Sequence, residues 1–177
     1  FDKDIQNLLD LKINHDGQTR DLLEVLKFCD TDAFLVMSKG KLIFEFFDQF
    51  TNFSSPHIVF SISKSITSLL FGILSKEIKL DLNTKISKII PETIGSAYED
   101  ATIRNLLDMN VSSSFIEDYS GKAEIFKKYR SCTGWDLIDA SIIDIPNGMY
   151  DFLSNLPSSD SSHGTKYHYS SPNSDLL

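Results

Sequence analysis

Ser61 and Lys64 stand three residues apart in Phe60-Ser61-Ile62-Ser63-Lys64-Ser65-Ile66-Thr67-Ser68-Leu69-Leu70. On a helix that spacing puts a hydroxyl and an amine on one face. A serine hydroxyl is a weak nucleophile, and an adjacent amine that takes or shares its proton activates it. The chemistry this pair could do is attack on a carbonyl carbon. Ser38-Lys39-Gly40-Lys41 repeats the Ser-x-x-Lys spacing, but it lies between two apolar runs, where Lys39-Gly40 reads as a solvated turn. Other readings of Ser61 and Lys64 are a plain helix cap and a surface charge.

The elements that must position the pair can be read from periodicity. Ile62, Ile66, Leu69, Leu70 and Ile73 recur at helical spacing, so a helix running to about Lys76 is expected, with that stripe anchored in a core. Ser61 then falls at its N-terminus, where free N–H groups and the helix dipole favour developing negative charge. Ahead of it, Ile5, Leu8, Leu9 and Ile13 predict a helix over 2–13. A second helix follows, with Thr19 as its cap and Leu22, Leu23, Val25, Leu26 and Cys29 behind it. The period then shortens: Ala33 to Met37 and Leu42 to Phe47 flank the Lys39-Gly40 turn and read as a β-hairpin.

After the Ser61 helix, Thr102 is placed to cap a short helix with Ile103, Leu106 and Leu107 facing inward. A helix is expected within 144–156 after Pro146-Asn147-Gly148, and a polar surface loop over 157–165. The segment from Tyr167 to Leu177 reads as a loop entering a new helix. Helices, one hairpin, then about 120 mainly helical residues make an α+β pattern with an unfinished sheet. Two parts are expected: 1–59, with the N-terminal helices and hairpin, and 60–177, with the nucleophile helix and the mostly helical region. Further strands pairing with the hairpin are expected C-terminal to residue 177.

Composition limits the function classes. The 177 residues carry a formal net charge of -8, which disfavours nucleic acid as a partner. No apolar run approaches the ~18 residues of a membrane span. The four histidines, His15, His57, His163 and His168, form no metal-binding spacing, so no metal site is expected. Cys29 and Cys132 are far apart and read as two buried thiols of a reducing compartment, which favours the cytoplasm.

Several segments together resemble the serine β-lactamase and penicillin-recognising superfamily, and within it the branch of the 6-aminohexanoate-dimer (nylon-oligomer) hydrolases. They are Thr31-Asp32-Ala33-Phe34-Leu35-Val36, Ser61-Ile62-Ser63-Lys64-Ser65, Pro91-Glu92 with Gly95-Ser96-Ala97-Tyr98, and Leu106-Leu107-Asp108-Met109. Glu117-Asp118-Tyr119, Gly134-Trp135 and the stretch from Tyr169 to Leu177 continue the series in family order. The motif Ser-x-x-Lys carries the nucleophile in penicillin-binding proteins and class A β-lactamases.

The resemblance implies a β-lactamase/transpeptidase-like fold and a serine hydrolase of amides or esters that needs no cofactor. Ser61 would be the acylated nucleophile, and Lys64 the lysine that balances its proton. Tyr169 would pass that proton to the leaving group. Ser171 takes the place of the second motif's asparagine, Tyr119 matches a tyrosine on a substrate-covering loop, and Trp135 lines the same pocket. For Tyr119 and Trp135, packing is the alternative. Two departures stand out. Asn110-Val111-Ser112 replaces a common Thr-Ser-Gly, and Arg130 stands where the nylon-oligomer branch has an acidic residue, which would repel an ammonium-bearing substrate. The third family motif and the strand that completes the oxyanion hole are expected beyond residue 177, so residues 1–177 alone are expected to turn over little or no substrate. Two other functions stay open: a decayed relative kept for binding or scaffolding, and a D-alanyl carboxypeptidase or esterase acting on peptidoglycan. Substrate identity and oligomeric state are not legible.

Overall fold

The structure, a computed structural model, describes residues 3–137 and 142–177. Residue 2 of the first predicted helix therefore lies outside the described residues. The chain divides into two compact units, Phe1–Ile58 and Val59–Leu177.

In the first unit, α1 (Lys3–Leu9) is shorter than its periodicity predicts. Ile13 belongs instead to β1 (Ile13–His15), which pairs antiparallel with β2 (Gln18–Arg20). The cause is Asp16-Gly17, whose φ values of 50° and 71° make the two-residue turn that Asp-Gly favours. Thr19 is consequently a strand residue and not a cap. The cap of α2 (Leu22–Phe28) is Asp21, whose carboxylate accepts from Glu24 N while Glu24 accepts from Asp21 N, both at 2.9 Å.

The second hairpin has the predicted position: β3 (Ala33–Ser38) pairs with β4 (Lys41–Phe47), and Lys39 and Gly40 turn the chain with φ of 50° and 76°. Its faces alternate, with Leu35 and Met37 exposed. No third strand joins it among the described residues. His57 Nε2 meets Asp32 Oδ2 at 2.6 Å, and this hydrogen bond raises the imidazole above its ordinary pKa. Cys29 is exposed, contrary to its expected burial, because it is the C-cap of α2 and has left the helix's packed face.

The second unit starts with α3 (Ile62–Glu77). Its expected anchoring is reversed. Ile62, Ile66, Leu69, Leu70 and Ile73 are all more than half exposed, and no residue of α3 is fully buried. The partly covered stripe is Lys64, Thr67, Phe71 and Ser75, and Phe71 packs on the core. An apolar stripe identifies a face that favours burial but not what covers it, and in this chain the opposite face meets the rest of the unit. That orientation turns Lys64 inward.

The core gathers Ile86, Tyr98, Ile103, Leu106, Val111, Phe115, Phe126, Tyr129, Phe152 and Leu156. It is fed by α4 (Ile103–Leu107), α5 (Glu124–Cys132) and α6 (Met149–Ser154). Thr102 caps α4 as predicted, in a reciprocal pair with Asn105. At the centre, Phe115 sets its ring edge-on to Phe126, Tyr129 and Phe152 at centroid distances of 6.0, 5.3 and 6.1 Å. The 157–165 loop is pinned by His163, which accepts from Ser112 N at Nδ1 and contacts Asp100 through Nε2, both at 2.9 Å. The last element is α7 (Ser171–Asp175), the helix expected after the Tyr169 segment.

Candidate active site

Ser61 immediately precedes α3, and its side chain makes no capping hydrogen bond. The hydroxyl instead receives one from Lys64 Nζ at 3.0 Å. Ser61 is thus the N-cap residue of α3 by position, without capping it through its side chain. Ser61 N–H has no acceptor among the described residues and sits at the positive end of a sixteen-residue helix. Phe60, one residue earlier, adopts φ of 42°, a left-handed conformation that is strained for a bulky side chain. Its ring stacks on Trp135 at 5.9 Å and 24°, which fixes the approach to the helix.

Tyr169 arrives from 105 residues beyond Lys64 in sequence, and its ring centroid lies 5.4 Å from Lys64 Nζ. Its neighbours explain the placement. His168 donates its backbone N–H to Met109 O at 2.6 Å, and its Nε2 meets Phe115 O at 2.7 Å. Ser170 is fully buried on the other side. Tyr169 is thus held between two anchored residues with its own ring partly exposed, and its hydroxyl has no hydrogen-bond partner among the described residues. Asn173, fully buried, accepts from Tyr98 OH at 3.1 Å and steadies α7 below it.

Ser61 and Lys64 open onto a cleft of about 370 Å3, also lined by Phe60, Glu117, Tyr119, Arg130, Trp135, Ser171 and Asp175. Tyr119 is 73% and Trp135 60% exposed; Tyr119 sets its ring edge-on to the buried Phe126 at 5.0 Å, and Trp135 stacks on Phe60. Ser171 is in the wall but its donors are committed: N–H and Oγ both reach the Glu117 carboxylate, at 2.9–3.0 Å. Tyr119 OH donates to the same carboxylate at 2.5 Å, and this bond pushes the phenol up to about 12. Asp175 accepts from Tyr129 OH at 2.7 Å. Burial raises its carboxyl pKa, against the opposing pull of Tyr129 and of the Lys64 charge.

The sequence-derived residues Ser61, Lys64, Tyr119, Trp135 and Ser171 therefore line one cleft, with Tyr169 beside Lys64. Sequence reasoning missed Phe60, Asp175 and the organising role of Glu117. Phe60 adjoins the Ser-x-x-Lys stretch and was open to inspection. Glu117, by contrast, looks like any surface acid until Ser171 is folded onto it. Among the described residues no group of three or more His, Cys, Asp or Glu side chains could hold a metal ion, and no helix is long and apolar enough to cross a membrane.

The chain is 29% identical over 157 residues to 6-aminohexanoate-dimer hydrolase from Paenarthrobacter ureafaciens, a match that takes in 89% of this chain and 39% of that protein. It superposes with a TM-score of 0.80, at 25% identity, on the structure of a Bacillus anthracis protein assigned as a 6-aminohexanoate-dimer hydrolase. That superposition covers 97% of this chain and 45% of the other. The chain thus spans less than half the length of both relatives. Its α+β architecture is a β-lactamase-like fold, and residues 31–177 match the Beta-lactamase family itself. This match over most of the chain leads to one assignment: the protein belongs to the beta-lactamase family.

Proposed function

We propose that the protein is a serine hydrolase that cleaves a carboxylic amide or ester through an acyl-enzyme on Ser61. The observation that carries this reading is the 3.0 Å contact between Lys64 Nζ and Ser61 Oγ at the mouth of the cleft. With Lys64 neutral, the same contact runs the other way, and Ser61 Oγ–H donates to Nζ. Oγ then attacks the carbonyl carbon as its proton passes to Lys64. The oxyanion develops near Ser61 N–H, an unspent donor at the helix end. Collapse of the tetrahedral intermediate breaks the bond to the amine or alkoxide. In this reading Tyr169, whose ring lies beside Lys64, gives the leaving group its phenolic proton and takes back the one Lys64 holds. Water then attacks the ester on Ser61 by the reverse route. No step calls on a metal or organic cofactor.

The relatives' names give a 6-aminohexanoate dimer as the substrate of those proteins, and the aromatic lining from Phe60, Tyr119 and Trp135 suits a chain-like acyl group here. A tetrahedral oxyanion is held best by a second donor besides Ser61 N–H, and losing one such donor costs on the order of a hundredfold or more. The reading is tested with p-nitrophenyl esters and the complete protein. Hydrolysis that disappears in Ser61→Ala supports it, and hydrolysis unchanged by that substitution overturns it.

A further inference from the structure

We propose that Arg130 forms an anion-recognising end of the cleft, so that the group delivered to Ser61 carries a carboxylate at some distance from the scissile carbonyl. This rests on the acyl-hydrolase reading above and names its substrate class.

Arg130 sits in the last turn of α5, whose Phe126 and Tyr129 are buried in the aromatic core. Anchored by them, Arg130 lines the cleft that holds Ser61 and Lys64. It also lines a second cavity of about 450 Å3, bounded by the same Tyr119, Phe126 and Trp135 and by Lys127. The two cavities share Arg130 and the rings of Tyr119, Phe126 and Trp135.

The sign of the missing partner follows from which groups have spent their hydrogen bonds. Every carboxylate of the two linings is occupied. Glu117 holds Tyr119 OH and both donors of Ser171, and Asp175 holds Tyr129 OH. Asp118 takes the backbone N–H groups of Ser120, Lys122 and Ala123. Asp136 takes Arg130 Nη2 at 2.8 Å. The cations are not occupied in the same way. Among the described residues Arg130 gives one of its five donors, and its Nε is buried without a partner there. The Lys127 ammonium has no partner among the described residues. Unspent donors of a planar guanidinium suit a planar carboxylate, and the Phe60–Trp135 stack offers apolar surface for the intervening methylenes.

The test compares three p-nitrophenyl esters of one chain length on the complete protein: the adipate half-ester (anionic), the hexanoate (neutral) and the 6-aminohexanoate (cationic). The expected kcat/KM for the half-ester exceeds that for the cationic ester by about tenfold or more, and added salt shrinks the margin. In Arg130→Gln the anionic-to-neutral ratio collapses toward one, while Arg130→Lys keeps part of it. A parallel titration calorimetry series on Ser61→Ala uses adipic acid monoamide and 6-aminohexanamide. Tighter binding of the anion, lost in Arg130→Gln, is expected. Equal binding, or tighter binding of the ammonium compound, overturns the proposal. Ester hydrolysis without charge preference overturns it and leaves the hydrolase reading standing. Selective binding of the anion with no hydrolysis of any ester retains the anion site and removes the hydrolase reading.

Discussion

Glu117 takes both the backbone N–H and the hydroxyl of Ser171, a residue 54 positions later, within 3.0 Å. The same carboxylate accepts from Tyr119 OH, so one side chain ties the cleft's outer tyrosine to the helix that follows Tyr169. Replacing Glu117 by Gln removes the charge that holds the Tyr119 proton. The Tyr119 phenol should fall from about 12 toward its ordinary value near 10, read by ultraviolet titration of the phenolate. The raised pKa also carries a stability term: native Tyr119 keeps a proton that the unfolded chain loses above about pH 10. That contribution is present below pH 10 and is lost as pH rises through about 12. An unchanged tyrosine titration in Glu117→Gln would count against the Glu117–Tyr119 bond.

Lys64 should matter to chemistry far more than to folding. It is one turn along α3 from Ser61, and its ammonium donates to Oγ. Lys64→Ala is expected to lower kcat by about a thousandfold or more while the thermal midpoint moves by a few degrees at most. A variant that loses activity only in proportion to its loss of folded protein would assign Lys64 a structural role.

Phe60 offers a separable test of strain. Its φ of 42° costs about 1–3 kcal/mol in a residue with a Cβ. Phe60→Ala and Phe60→Gly both remove the stack on Trp135, but only glycine relieves the backbone. Phe60→Gly should therefore be more stable than Phe60→Ala by about 1 kcal/mol in urea unfolding. The reverse order would contradict the left-handed conformation.

His163 fastens the 157–165 loop to the body of the unit. Its ring accepts the Ser112 N–H and reaches Asp100, and the His163 bond holds the Asp100 carboxyl below its usual range. Removing the ring leaves a backbone N–H without its partner, at a cost of about 1–3 kcal/mol. His163→Ala should show that loss in unfolding, together with faster hydrogen exchange at the Ser112 amide. The Asp100 contribution is present above its ordinary value near 3.8 and fades as pH falls through the lowered one.

In the first unit, His57 should lose its raised pKa when Asp32 becomes Asn, since the Asp32 hydrogen bond is the largest cause. Imidazole proton shifts followed by NMR would then place His57 closer to its ordinary 6.5. The stability the pair supplies is complete below pH 6.5 and is lost as pH rises through the folded value.

The parts of the site carried by local rules were legible in the sequence. Ser61 and Lys64 are three residues apart on a helix, so their meeting follows from helical geometry. The Lys39-Gly40 hairpin and the Thr102 cap follow from turn and cap chemistry. Asp16-Gly17 carried an equally clear turn signal, but Ile13 also fitted the helical period of Leu8 and Leu9, and the turn won. The fixed expectation for α3 failed for a different reason. Hydrophobic spacing identified Ile62, Ile66 and Leu69 as one stripe, yet the face that meets this unit carries Lys64 and Phe71. The closures of Glu117 on Ser171 and of Asp175 on Tyr129 join distant segments, and no local pattern encodes them.

The central claim is that Ser61 becomes acylated. Incubating the complete protein with a fluorophosphonate and mapping the adduct by peptide mass spectrometry tests it directly. The account predicts one adduct on Ser61, absent in Ser61→Ala and slowed strongly in Lys64→Ala. A folded protein that takes up no label at Ser61, or takes it up as fast without Lys64, would contradict it.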